Sequence, residues 1–220
     1  MLAPTHLNRE ALDEVGRHIR PQCLDDIART LERFPHCGIQ DALNDNQITC
    51  KRWLIDELFR ALGGTFGTVY LLGGWYGVLG ALLLNDSRFD IRRVVSIDID
   101  PECAPIASQL NRSQAEGRFE AVTASASGLT YRRVDEVGGP PNLLINTSCE
   151  HMAASVRWYD QVPDGMCQVL QSNDYYSCAE HVNCVESLAK FKEQVPMREV
   201  LFEGALPRRR YNRFMLIGRK

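Results

Sequence analysis

Two stretches of the chain carry residues in an order that nucleotide chemistry uses. Val69-Tyr70-Leu71-Leu72 is an apolar run that ends in Gly73-Gly74-Trp75-Tyr76-Gly77. Glycine lacks a Cβ, so the backbone at such a turn can approach a ligand closely. A second apolar run, Val94-Val95-Ser96-Ile97, closes on Asp98. A carboxylate at that strand end can hydrogen-bond both hydroxyls of a ribose. Alone, the glycines fit a tight structural turn equally well. Asp98 alone fits a helix cap, although Asp100, just before Pro101, fills that part better. Taken in order, strand, glycine turn, helix, strand and acid point to a ligand that carries a nucleoside.

These residues need a frame, and the hydrophobic periodicity supplies one. The first 64 residues read as three helices, at 9–19, 22–34 and 50–62. Leu24, Ile27, Ala28, Leu31 and Phe34 share one face of the second. Trp53, Leu54, Leu58 and Leu62 share a face of the third, with Glu57 as a polar intruder. Pro21 and Pro35 break the pattern, and Gly63-Gly64 stops the third helix. From Thr68 the period changes. Strands are expected at 69–72, 94–100, 119–123, 142–146 and 167–172. Helices are expected at 77–84, from Pro101 onward, and at 181–194. The last two apolar runs, 199–203 and 213–218, lie too close together for a helix and read as a hairpin. Apolar strands alternating with helices predict an α/β chain with a mostly parallel sheet, helices on both faces and an antiparallel edge. The expected division is a helical cap, 1–64, and a ligand-binding sheet, 65–220.

Composition excludes several classes. With 220 residues the chain suits one domain, or one with a small appendage. A net charge of −3 gives no broad basic surface, so nucleic acid is not an expected partner. No apolar stretch reaches the ~20 residues that span a bilayer, and the polar N-terminus has no signal-like apolar region. A cytoplasmic protein without a membrane partner is therefore expected. Eight cysteines occur without any C-x-x-C spacing, so reduced thiols are expected. Cys149, His151, Cys178 and His181 match no metal-ligand spacing, and no metal is expected.

Residues 69–77 followed by 94–98 resemble motifs I and II of the class I S-adenosylmethionine (SAM)-dependent methyltransferase fold. The closing hairpin is similar to that fold's reversed last strand, and the resemblance spans 68–220. NAD-binding proteins use a stricter G-x-G-x-x-G, which this turn lacks. The resemblance implies a Rossmann-like fold that binds SAM. It places Gly73, Gly74 and their neighbour Trp75 against the methionine part, Asp98 at the ribose and Ile99 at the adenine. The family often has an acid after strand three that meets the adenine amine. Here the run is Thr123-Ala124-Ser125-Ala126, and Ser125 is the substitute. A helical segment before motif I commonly caps the SAM pocket. Thr49 is expected to cap the third helix, which would bring Lys51 or Arg52 to the SAM carboxylate. The alternative is a solvated basic pair on the helix surface.

The chemistry belongs to the residues after strands four and five. Amino-methylating members carry Asn/Asp-Pro-Pro-aromatic after strand four. Here the run is Asn146-Thr147-Ser148-Cys149-Glu150-His151, and only Asn146 matches. That departure argues against a nucleic-acid base as acceptor. Strand five runs into Gln171-Ser172-Asn173-Asp174-Tyr175-Tyr176-Ser177. A tyrosine face attracts a sulfonium by about 1–2 kcal/mol when desolvated. Asn146 and Asn173 could add carbonyl dipoles. Tyr175 and Tyr176 point to opposite sides of an extended chain, so the sequence does not choose between them. Glu150 and His151 fit either a general base or a first helical turn. Two reactions suit this set. One is methyl transfer to a small molecule. The other uses SAM as sole substrate, as in the azetidine-2-carboxylate synthases. The chain resembles these in size, in its three-helix cap and in Asn146 with the Asn173–Tyr176 cluster. The resemblance implies ring closure of the aminocarboxypropyl arm and release of methylthioadenosine.

Overall fold

Alternating side chains on each strand build two apolar cores, one on either side of a sheet. The computed structural model describes Gly16 and residues 21–114, 117–133, 139–153 and 157–220. Its strands are β1 (Thr65–Leu72), β2 (Asp90–Asp98), β3 (Phe119–Thr123), β4 (Leu143–Asn146), β5 (Cys167–Asn173), β6 (Glu199–Pro207) and β7 (Asn212–Arg219). They form one seven-stranded sheet in the order β3-β2-β1-β4-β5-β7-β6. The first five are parallel, and β7 runs antiparallel to both β5 and β6. The α/β architecture and the reversed strand match expectation. Val69, Leu71, Leu143, Ile145, Val169, Met215 and Ile217 feed one core. Leu72, Leu144, Leu170, Phe214 and Leu216, their neighbours in sequence, feed the other. This period of two is what a strand buried on both faces requires.

Helices cover both faces. The N-terminal ones are α1 (Pro21–Arg33), α2 (Ile39–Ala42) and α3 (Asp45–Leu62). Ile27, Ile39, Ile48, Leu54 and Leu58 from these helices share the first core with β1 and β7. The remaining helices are α4 (Val78–Asn85), α5 (Cys103–Leu110) and α6 (Leu188–Gln194). Phe191 of α6 is buried in the second core beside Trp158 and Val162. Trp53 of α3 meets Phe202 of β6 edge to face at 6.1 Å, which seats the helical segment on the closing hairpin. All eight cysteines are free thiols. No described helix is long and apolar enough to cross a membrane.

Three local expectations are corrected, and one is not tested. The helix at 9–19 lies outside the described residues except Gly16. Ala28 is exposed, and the buried face of α1 instead includes Asp26 and Thr30. Asp26 accepts a 2.6 Å hydrogen bond from Ser113 N, which satisfies a carboxylate inside the fold. Thr49 does not cap α3. Asn44 does, its Oδ1 accepting from Gln47 N at 2.9 Å, and the helix gains a turn at its start. The helix expected from 181 begins only at Leu188, where the Ser187 hydroxyl accepts from Lys190 N. Upstream of it, Asn183 N and Val185 N donate to Glu150 O and Asn173 O. Those amides bind neighbouring strand ends, so they cannot close helical turns.

Candidate active site at the strand ends

The carboxyl ends of β2, β4 and β5 share one device. Asp98, Asn146 and Asn173 are the last residues of these strands. Each accepts, through a side-chain oxygen, the backbone N–H two residues on: Asp100 at 3.1 Å, Ser148 at 2.9 Å and Tyr175 at 2.9 Å. This is the turn that short Asx side chains favour. It bends the chain sharply, so the segments that follow gather around the sheet's end, where ligands of open α/β sheets sit.

The glycine turn has its own internal reasons. Gly73 has φ +61°, and a Cβ there would lie 2.8 Å from Ser148 Cβ. A Cβ on Gly74 would lie 2.1 Å from Ser96 Oγ. Both positions exclude other residues because neighbouring strand ends press on them. Trp75 adopts φ 48°, rare for a residue with a side chain. It is held there by donating its N–H to Asp98 Oδ2 at 2.8 Å and by stacking on Tyr76 at 4.8 Å. Asp98 thus braces the turn with one oxygen and its own strand end with the other. Each of these oxygens retains a second lone pair. Ile99, next in sequence, is 73% exposed at this rim. Ser125 is exposed as well, its hydroxyl 3.0 Å from that of Ser127.

Beside this turn lies a buried ionic knot. Glu150 follows β4 in a 3₁₀ turn, Cys149–His151, and its side chain is 3% exposed. Arg213, the second residue of β7, is 11% exposed and donates to Glu150 Oε1 at 2.5 Å. Its other nitrogens reach Thr147 O and Gln171 Oε1. Asn173 Nδ2 donates to the same Glu150 oxygen at 2.6 Å. A buried carboxylate and guanidinium offset each other's desolvation only when so tightly tied. Sequence reasoning weighed Glu150 as a base or a helix-end charge and missed Arg213. Its signal was a lone cation opening the otherwise apolar run Phe214-Met215-Leu216-Ile217.

The helical segment closes over this knot. Lys51 of α3 donates to Gln47 Oε1 at 2.7 Å. Burial, and then the nearby Arg213 guanidinium, lower its pKa from 10.5 to about 8. Asn46 Nδ2 donates to Tyr211 Oη at 2.7 Å, and Arg208 Nε donates to Asn46 Oδ1 at 2.6 Å. Tyr211 in turn faces Tyr175 at 5.6 Å, and Tyr175 meets His181 at 5.8 Å. Tyr175 is therefore held among rings, half-buried, whereas Tyr176 is 62% exposed. Asn146 is fully buried, its amide donating to Met152 Sδ at 3.2 Å. The structure thus brings together Lys51, Asn173 and Tyr175 through Arg213, Glu150 and Tyr211. Asp98, Gly73, Gly74 and Trp75 form an adjacent group. Tyr176 and Ser125 lie on the surface.

Two shallow surface hollows lie elsewhere. One, near Arg52, Asp56, Asn85 and Arg88, is at the opposite end of the sheet, before β2 begins. The other lies between α1 and the end of α5.

No protein-family model matches the chain, and no curated protein matches it either. Solved structures do. The N-methyltransferase NodS from Bradyrhizobium japonicum WM9, in complex with S-adenosyl-L-homocysteine, superposes with a TM-score of 0.61 at 10% identity. That match covers 87% of this chain and 98% of NodS. Magnesium protoporphyrin IX methyltransferase from Synechocystis PCC 6803, with bound SAM, gives 0.54 at 13% identity over 94% of this chain and 96% of its own. The [4+2]-cyclase SpnF gives 0.58 at 13% identity over 79% and 82%. The chain has the Rossmann-like fold of class I methyltransferases.

Proposed function

We propose that the chain is a SAM-consuming enzyme that closes the aminocarboxypropyl arm of SAM to azetidine-2-carboxylate. The observation that carries this reading is the polar knot at the ends of β4 and β5, under α3. There Lys51 sits beside Arg213, the Arg213 charge is matched by Glu150, and among the described residues the hydrogen-bond partner of Lys51 is the neutral Gln47. An α-carboxylate would supply Lys51 with an anion that Gln47 does not. Asp98 would hold the ribose with its remaining lone pairs, Ile99 would face the adenine, and the turn at Gly73, Gly74 and Trp75 would follow the methionine part. Tyr175, fixed between Tyr211 and His181, would present its ring to the sulfonium.

The chemistry balances without a second substrate. The neutral α-amine attacks Cγ, the Cγ–S bond breaks, and the sulfonium leaves as the thioether of methylthioadenosine. The amine must first lose a proton. A dry pocket with the Lys51 and Arg213 cations nearby lowers an ammonium's pKa, so the amine gives up its proton to water before the ring closes. Closing a four-membered ring requires nitrogen, Cγ and sulfur held in line, which is the contribution of fixed neighbours such as Asn173 and Tyr175. The likeness to SpnF supports the idea that this fold carries cyclisations as well as methyl transfer. A second reading, methyl transfer to a small acceptor, is favoured by the likeness to NodS and the porphyrin enzyme.

Purified protein incubated with SAM alone separates the two. Methylthioadenosine with a four-ring amino acid is expected. S-adenosylhomocysteine as product, or no turnover until an acceptor is added, would sink the cyclase. Tyr175→Ala is expected to cut turnover at least tenfold in folded protein, and Tyr176→Ala to change it less than twofold. The reverse order would reassign the sulfonium contact.

A further inference from the structure

We propose that Glu150, His151 and His181 form a binding site for one borderline divalent transition metal ion, with Zn²⁺ the best match. Among the described residues, these three form a group whose ligand atoms all lie within 4.8 Å of one another. Glu150 and His151 come from the 3₁₀ turn after β4, and His181 from the loop after β5. β4 and β5 are neighbours in the sheet, so the topology brings together two loops that sequence spacing keeps apart. Two imidazoles and one carboxylate are the donor set of open zinc sites, which leave a fourth position for water. Borderline donors of this kind favour zinc and its first-row neighbours over magnesium or calcium.

Two of the ligands are already oriented by a surrounding shell. His181 Nδ1 lies 2.9 Å from Tyr175 O. A carbonyl only accepts, so Nδ1 carries the proton and Nε2 keeps its lone pair outward. Metal-bound histidines are typically fixed in this way. Glu150 Oε1 is taken by Arg213 and Asn173, while Oε2 is buried without a hydrogen-bond partner among the described residues. A buried oxygen left so calls for a partner, and a metal ion would be one. The imidazoles of His151 and His181 stand edge to face at 4.5 Å between centroids. Bonds of about 2.1 Å in a tetrahedron place ligand atoms about 3.4 Å apart. The ligands must therefore draw in by up to about 1.4 Å, and His151, being exposed, is the one with room to move. Arg213 behind the carboxylate opposes the ion's charge. The Glu180 carboxylate, close enough to act on His151, favours it.

The test needs neither SAM nor turnover, so its failure and that of the proposed reaction are distinguishable. Full-length protein, stripped with chelator and kept reduced, is titrated with Zn²⁺ by calorimetry and with Co²⁺ by visible absorption. One equivalent is expected to bind, with a Co²⁺ ligand-field band of four- or five-coordinate character. His151→Gln and His181→Gln are each expected to weaken binding by at least the roughly 10–100-fold that loss of a supporting partner costs. His36→Gln, on an exposed turn, should leave it unchanged. Because His151 is exposed, H151Q keeps the fold and decides the matter even where H181Q does not. No binding by the wild type, or equal affinity in H151Q, would overturn the proposal.

Discussion

A single lysine shows how the proposed site would trade stability for binding. Lys51 has an ordinary pKa of 10.5 when unfolded and about 8 when folded. Between those values the unfolded chain holds the extra proton, so this group adds stability as pH rises from about 8 toward 10.5. Below pH 8 its destabilising effect is fully present, because the folded state must carry an ammonium beside Arg213. Lys51→Met is therefore expected to raise the melting temperature of the ligand-free protein at pH 7, with the gain fading by about pH 10. The same change should weaken SAM binding. An equal gain at both pH values would assign the effect to packing instead of charge. For the wild type, SAM affinity should fall as pH rises through 8, since only the protonated amine attracts a carboxylate. Cys149 is the opposite case: burial pushes its thiol well above the ordinary range, so it stays protonated and inert.

At the scale of elements, the strand ends and the turns between them are mutually dependent. Gly74 stands where it does because Ser96 of β2 occupies the space of a side chain, and the Asx turns fold each following segment back over the sheet. Gly74→Ala is expected to cost about 1–3 kcal/mol, as overpacking commonly does. Ser96→Ala in the same chain should recover part of that, because the remaining contact would be with Ser96 Cβ at 3.2 Å instead of Oγ at 2.1 Å. A double-mutant cycle read by denaturant unfolding measures the coupling, and strict additivity would show that the two positions do not press on each other. Much of this level was legible beforehand. The apolar runs 69–72 and 142–146, the helix at 77–84 and the closing hairpin follow from periodicity and glycine placement. The late start of α6 was not, because Asn183 and Val185 spend their amides on strand ends remote in sequence.

For the molecule as a whole, binding and folding are linked. The proposed ligand touches segments before β1, after β2 and after β4 and β5, so only the complete fold can hold it. SAM at a hundred times its Kd should add about 2.7 kcal/mol of stability. For a chain of this size that is a rise of roughly 5–10 °C in melting temperature. Asp98→Ala should abolish most of the shift at the same concentration. A melting curve indifferent to millimolar SAM would count against the nucleoside site altogether.

The sequence by itself determined the layers, the reversed strand and the strand–glycine–acid order, because these depend on local periodicity and on residues near one another in the chain. Only the tertiary structure decided which polar residues meet. Arg213 reaches Glu150 because β7 enters the sheet beside β5. Lys51 reaches that pair because α3 lies against the closing hairpin, and Tyr175 turns inward because Asn173 bends the chain after β5. The histidines at 151 and 181 fit no sequence spacing, yet adjacent parallel strands carry them to one place. Contacts of that kind are fixed by the order of strands in the sheet, which no spacing along the chain records.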